Sequence, residues 1–367
     1  MSTTLAALRQ EIGVRTGQPF FTKFSGAAET ASAAGTTTTL IDTTALLEAD
    51  NYWRGHYIYF PGTQETRQVS AFANATSQLT WLSPIAGATG ATTTYELWST
   101  FSPIQVHNAI NIALRDAYPY FFEVGSDVLV LCEDWPTTYD LPTDDTIRRI
   151  LRATLLSYPS ITGTTTSDAL ADNQIVDTNQ SFDDDDILKA VSIYNWDNDC
   201  AGEYRIVEAV PNSYTLTVDD DFSDTIVEGS KYRLSTITKM PNVQVLSNFR
   251  LDRQTYPTMV WFGNEHNDHA GDFVLFEYEY DYAELSAETS ATDCLKEYVI
   301  LSAIANLYLQ KLATAPATEV RNWEGMQRAM SEAAQKFALR NRSRHNTSTV
   351  TQWFPNLGYS ADYPFSD

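Results

Sequence analysis

Histidines and carboxylates crowd together at one place in the chain, Glu265-His266-Asn267-Asp268-His269, where imidazole and carboxylate ligands could be offered to a metal. The flanking Trp261-Phe262 and Phe273-Val274 read as the two strands of a hairpin, so the cluster is expected to be its solvated polar turn. Two acidic runs, Asp183 to Asp186 and Asp219 to Asp221, have the carboxylate density for calcium. They lack the glycine and closing glutamate of an EF-hand loop and are read as solvated loops. Asp144 and Asp145 follow a strand end and turn, Tyr139-Asp140-Leu141-Pro142, and no second acid stands where a glycan hydrolase would need it. No phosphate loop, HExxH or nucleophile elbow occurs. The sequence therefore assigns no catalytic, cofactor-binding or metal site, and the chain is read as a non-enzyme that needs no cofactor.

Cys132, Cys200 and Cys294 lie far apart without CxxC or CxxH spacing, which points to reduced thiols rather than a disulfide framework or zinc site. The formal net charge of −23 repels phosphate backbones and argues against groove-reading nucleic-acid binding. Met1 to Gly17 lacks signal-peptide character, and no apolar run reaches the roughly 20 residues that span a bilayer, so a soluble, non-secreted product is expected. The 367 residues, 43% of them hydrophobic, exceed what one core usually serves and predict several folding units.

A weak internal repeat organises those units. One copy opens at Gly35 with a threonine run, passes Ile41-Asp42-Thr43 and Tyr57-Ile58-Tyr59-Phe60, and closes on Tyr95-Glu96-Leu97. The other opens at Gly163, passes Val176-Asp177-Thr178 and Val191-Ser192-Ile193-Tyr194, and closes on Tyr232-Arg233-Leu234. Between them Glu65, Arg67 and Val69 match Glu203, Arg205 and Val207. Alternation in Thr66 to Ser70 and Tyr204 to Glu208 predicts strands with one wet face.

Elsewhere the period changes to 3.6. Ser102-Pro103 is a helix start, with Val106, Ile110, Ala113, Ala117 and Phe121 on one face and an end expected near Tyr118-Pro119. A helix from Cys294 to about Ala313 is apolar nearly all round, as the centre of a bundle is. A third starts near Thr318 and sets Trp323, Met326, Met330 and Phe337 on a stripe read as oligomer or bundle contacts. A short helix from Thr4 to about Ile12 completes the set, and the strands Asp127 to Leu131 and Asp272 to Tyr282 are candidates to pair.

The fold class expected from these patterns is α+β, a helical-bundle frame with two inserted small antiparallel β barrels or sandwiches. The frame takes residues 1–31, 101–125 and 283–345, the modules 32–100 and 161–235, and a linking β region 126–160 and 236–282. Residues 346–367 are read as an extended arm.

The stretch from Pro103 to Pro119 resembles the first core helix of head-to-tail connector adaptors of tailed phages. Ala303-Ile304-Ala305-Asn306-Leu307-Tyr308-Leu309, followed by Trp323-Glu324-Gly325-Met326, is similar to their C-terminal helices, and the Glu-x-Arg strands to insertions in phage neck and tail proteins. Such adaptors are usually smaller and mostly helical. The resemblance implies a virion protein in the neck, assembled in the host cytoplasm as a homo-oligomeric ring, commonly of twelve subunits. Its partners would be the portal protein and further neck or tail proteins, with DNA as non-specific passing cargo and no membrane.

The helices Ser102 to Phe122 and Asp293 to Phe337 are the expected ring contacts. For the segment after the third helix the resemblance implies portal-facing anchors: Arg340, Arg342, Arg344, Trp353, Phe354, Tyr359, Tyr363 and Phe365. The competing expectation is a tail-tip or fibre protein that binds host-surface glycans, drawn from the repeated modules and from Trp53, Trp98 and Trp196, taken as exposed.

Overall fold

In the computed structural model, Ser102 starts its helix as its sequence dictates. The serine side chain accepts from Gln105 N, Gln105 returns a bond to the Ser102 amide, and Pro103 occupies the first turn. The structure describes residues 2–17, 29–133, 138–140, 147–195, 198–246, 249–252, 259–262 and 269–341. The described residues fall into two units, those within 2–122 and 281–341 in the first and those within 123–280 in the second. Among the described residues there are four α-helices, all in unit 1: α1 (Leu5–Arg15), α2 (Pro103–Arg115), α3 (Lys296–Thr314) and α4 (Val320–Asn341). The second of these ends at Arg115, short of Tyr118-Pro119.

The four helices share one core. The predicted face of α2, with Val106, Ile110 and Ala113 continued by Ala117 and Phe121, packs with Leu5, Leu8 and Ile12 of α1 and with Val299, Ala303, Ile304 and Leu307 of α3. Trp323, Met326, Met330 and Phe337 of α4 lie partly buried against this same core. None of these helices is long and apolar enough to cross a membrane, among the described residues.

The remaining regular structure among the described residues is mainly sheet, which overturns the expectation of a helical-bundle frame with two inserted small antiparallel β barrels or sandwiches. Strands dominate the described residues, and neither module's ladder closes. In the first, the order is Glu29–Thr30, Thr94–Trp98, Tyr57–Phe60, Glu65–Ala73, Gln78–Trp81, Thr39–Ile41, Ala33–Thr36, and no ladder joins the two end strands. The second runs Ser160–Thr164, Lys231–Ser235, Ala190–Ile193, Tyr204–Asn212, Thr215–Val218, Gln174–Val176. The region read as linking is itself a four-stranded antiparallel sheet, Asn242–Leu246, Ile147–Ser157, Phe273–Tyr280, Glu123–Leu131, together with a separate three-stranded sheet, Thr138–Asp140, Met259–Phe262, Phe249–Asp252. The sequence marks two of its strands, around Leu131 and Phe273, but not Ile147–Ser157 and Asn242–Leu246, and Phe273–Tyr280 is buried on both faces although its second half alternates. The strands expected to pair, around Leu131 and Phe273, do so.

The two modules share one strand order, apart from the extra strand Ala33–Thr36 in the first. Their side chains repeat as well. Tyr95 Oη donates to Asp42 Oδ2 at 2.7 Å and Tyr232 Oη to Asp177 Oδ2 at 2.8 Å, all four groups buried. Arg67 bonds Glu65 and the carbonyl of Pro84, as Arg205 bonds Glu203 and the carbonyl of Asp221. The opening of the repeat shifts, however. Ala31 N donates to Thr93 O as Thr165 N does to Ser230 O, which aligns Gly163 with Glu29 and not with Gly35. The threonine run after Gly35 builds the extra hairpin instead. Gly163 has its own reason to lack a side chain, since a Cβ there would come within 2.3 Å of the Tyr232 hydroxyl.

Candidate functional site

Strands Tyr57–Phe60 and Thr94–Trp98 are each covered on two sides. Ile58, Phe60, Tyr95 and Leu97 enter the first module's core, while Tyr59 and Trp98 point the other way into the helical core. Alternation therefore carries Glu96 onto the helix side, where a lone carboxylate would be costly to bury. Arg9 of α1 meets it: Nε bonds Glu96 Oε2 at 3.0 Å and Nη2 bonds Oε1 at 2.9 Å, with both side chains fully buried. This is the forked geometry of the strongest guanidinium-carboxylate pairs.

A shell surrounds the pair. Trp98 Nε1 donates to Glu96 Oε2 at 3.0 Å, Arg9 Nη1 donates to Glu288 Oε1, Tyr59 Oη donates to the same oxygen, and His107 Nε2 of α2 lies 3.0 Å from Arg9 Nη1. The guanidinium carbon also sits 4.6 Å from the centre of the Tyr59 ring. Burial opposes the Arg9 charge, but Glu96 and Glu288 outweigh it and hold the guanidinium above its ordinary pKa. Burial, and then the Arg9 charge, push His107 down to about 4, against a weaker pull upward from Glu288. A neutral imidazole accepting from Arg9 follows. Burial and the bond to Glu288 raise the Tyr59 phenol.

The cluster thus binds α1, α2, the first module and the segment 281–292 through groups occupied with one another. Its chemistry is fastening. The second module has a counterpart of opposite sign. Arg233 occupies the position of Glu96, one residue after the pinned tyrosine, and its Nη1 bonds Asp272 Oδ1. Asp272 Oδ2 accepts from Ser157 Oγ at 2.7 Å and lies 3.4 Å from His269 Nδ1. Asp272 is buried, and Tyr204 and Ile206 of the module join Leu131, Leu156, Phe273 and Leu275 of the four-stranded sheet in one cluster. Each module is therefore fastened by an ion pair from the same strand position, fully buried in the first and part-buried in the second, with the charges exchanged.

Residues singled out in the sequence are distributed as follows. His269 is the described member of the histidine cluster, and 265–268 lie outside the described residues. The expected hairpin around them does not form: Met259–Phe262 pairs with Phe249–Asp252 and Thr138–Asp140, whereas Phe273–Tyr280 pairs with Ile147–Ser157 and Glu123–Leu131. The acidic run at Asp183 caps itself, Asp183 accepting from Asp185 N and Asp186 pairing with Lys189. Asp219 accepts from Ile206 N. Among the described residues no group of three metal-ligating side chains converges.

Asp144, Asp145 and Trp196 lie outside the described residues. Trp53 and Trp98, taken as exposed, are core residues: Trp53 enters the first module's own core from a turn, and Trp98 lies on the strand face that the helices cover. All three cysteines are free and buried, and burial, then the charge of Asp272, push the Cys132 thiol up to about 12. Of the expected portal anchors, Arg340 is exposed near the end of α4, and Arg342, Arg344, Trp353, Phe354, Tyr359, Tyr363 and Phe365 lie outside the described residues, as does the arm 346–367. Arg9, Glu96, Glu288 and His107 carried no sequence signal, since the partners stand 87, 98 and 279 residues from Arg9. Comparison of the chain with family models, with curated proteins and with solved structures returns no match.

Proposed function

We propose that the chain is a structural protein of a tailed-phage virion, a ring-forming adaptor of the head-to-tail connector that sits beneath the portal and lets DNA pass as non-specific cargo. The observation that carries this reading is the meeting of the resembling segments. Pro103 to Pro119, Ala303 to Leu309 and Trp323 to Met326 are separated by nearly 200 residues that include a whole β unit, yet they contribute to one helical core. The helices that carry the resemblance thus pack as a unit, with the first module fastened to them through the Arg9 cluster. The polar groups found buried serve fastening, which suits a scaffold under mechanical load.

A net charge of −23 accords with a channel lining along which a duplex slides without adhering. The portal above and further neck or tail proteins below are the partners this role demands. Antibody raised against the chain, applied to particles of the phage that encodes it and viewed by immunogold electron microscopy, tests the assignment. Label at the neck supports it. Label on fibres or the tail tip, or no label on the particle, overturns it.

A further inference from the structure

The four-stranded sheet of unit 2 has, among the described residues, two open edges. Among the described residues Asn242–Leu246 has a strand on one side only, and so does Glu123–Leu131 at the opposite end. All three pairings between them are antiparallel, so the two outer strands run in opposite directions. A second copy set edge to edge with the first would bring its Glu123–Leu131 antiparallel to Asn242–Leu246 and continue the alternation of the sheet. Each copy would use one edge on each side, which is the head-to-tail kind of contact from which cyclic rings are built.

The side chains favour the same contact. The register aligns Leu131, Phe273, Leu156 and Val243 in one cross-strand row, and Leu129, Leu275, Thr154 and Val245 in the next. At the Glu123–Leu131 end the rows lie in an apolar cluster with Leu156, Phe273 and Leu275. At the other end they run out uncovered, with Val243 38% and Val245 51% exposed and Met240, just before the strand, 71% exposed. From Met240 to Leu246 there is no charged residue, in a chain of net charge −23. Natural proteins protect lone sheet edges with charge, and this edge carries none. The opposite edge also exposes an apolar side chain, Val124 at 53%.

We infer that Asn242–Leu246 of one copy pairs with Glu123–Leu131 of the next, so that a continuous antiparallel sheet joins neighbouring subunits. This rests on the ring reading proposed above. The test is sedimentation velocity of the full chain and of the variant V243K/V245K, whose new charges fall at positions a lone protomer can solvate. A ring for the wild type and a folded protomer, by circular dichroism, for the variant is the expected result. Rings formed equally well by V243K/V245K overturn the edge contact and leave the ring reading standing, whereas a wild type that stays monomeric overturns both. Should the variant misfold, hydrogen exchange of the wild type decides. Amides of 123–131 and 242–246 should exchange more slowly in assembled material than in protomers separated by dilution, and equal exchange overturns the contact.

Discussion

Replacing Arg9 with methionine keeps an unbranched apolar stem and removes the guanidinium alone. Glu96, fully buried, then loses both of its charged donors and keeps only the Trp98 indole N–H, while Glu288 keeps Tyr59. Removing one partner of a buried ion pair costs about 3–5 kcal/mol, because the remaining charge stays buried without compensation. Whole-domain stabilities are on the order of 5–15 kcal/mol, so Arg9→Met should leave unit 1 marginal at room temperature. The double variant Arg9→Met/Glu96→Gln also removes the stranded charge and should recover part of the loss. With two units in the chain, a single melting temperature does not report on one of them. Native-state hydrogen exchange read by mass spectrometry does, on peptides covering Leu5–Arg15, Thr94–Trp98 and Phe273–Tyr280. Protection should collapse in the first two peptides and persist in the third. An Arg9→Met protein whose first two peptides stay within about 1 kcal/mol of wild type, the scale of a solvent-exposed pair, would refute the clasp.

The pH dependence of the same unit follows from His107. Its folded pKa, about 4, lies below the ordinary 6.5, so the unfolded chain binds the proton first as pH falls; the neutral-imidazole contribution is complete above about pH 6.5 and is lost on the way down to about 4. The loss should be about 3 kcal/mol over that window, measured by denaturant titration at stepped pH, and His107→Gln should flatten it. Tyr232→Phe and Tyr95→Phe each strand a buried aspartate oxygen and should cost about 1–3 kcal/mol, each read by hydrogen exchange in its own module; a free substitution at either would show that the repeated pair does not hold its module. Gly163→Ala should cost about 1–3 kcal/mol by overpacking against a Tyr232 ring that Asp177 pins, and Gly163→Ala together with Tyr232→Phe should not be additive.

Local features were legible in the sequence. Ser102 and Pro103 announced a helix start, and Asp42/Asp177 and Glu65/Glu203 marked a repeat whose strand order the two modules share. The register of that repeat was lost where the first copy inserts a hairpin, since the threonines of a hairpin and of a module opening look alike. Long-range features were illegible for a physical reason. In Tyr95-Glu96-Leu97-Trp98 the alternation is present, but only the fold determines whether the second face meets water or helices. Trp98 thus read as surface and is core, and Glu96 on the same face is buried with it. Two strands of the four-stranded sheet were legible, but not that they join Ile147–Ser157 and Asn242–Leu246 in a sheet of their own, so the chain read as a helical frame with insertions when its described residues hold more strand than helix.

The central claim is that copies of this chain assemble into a closed ring. Negative-stain electron microscopy of the purified full-length protein, with its mass fixed by native mass spectrometry, tests it most directly. The account predicts annular particles of uniform diameter with a central opening and a mass that is a whole multiple of 41.1 kDa. Isolated 41.1 kDa protomers at every concentration examined, or elongated fibres in place of annuli, would contradict it.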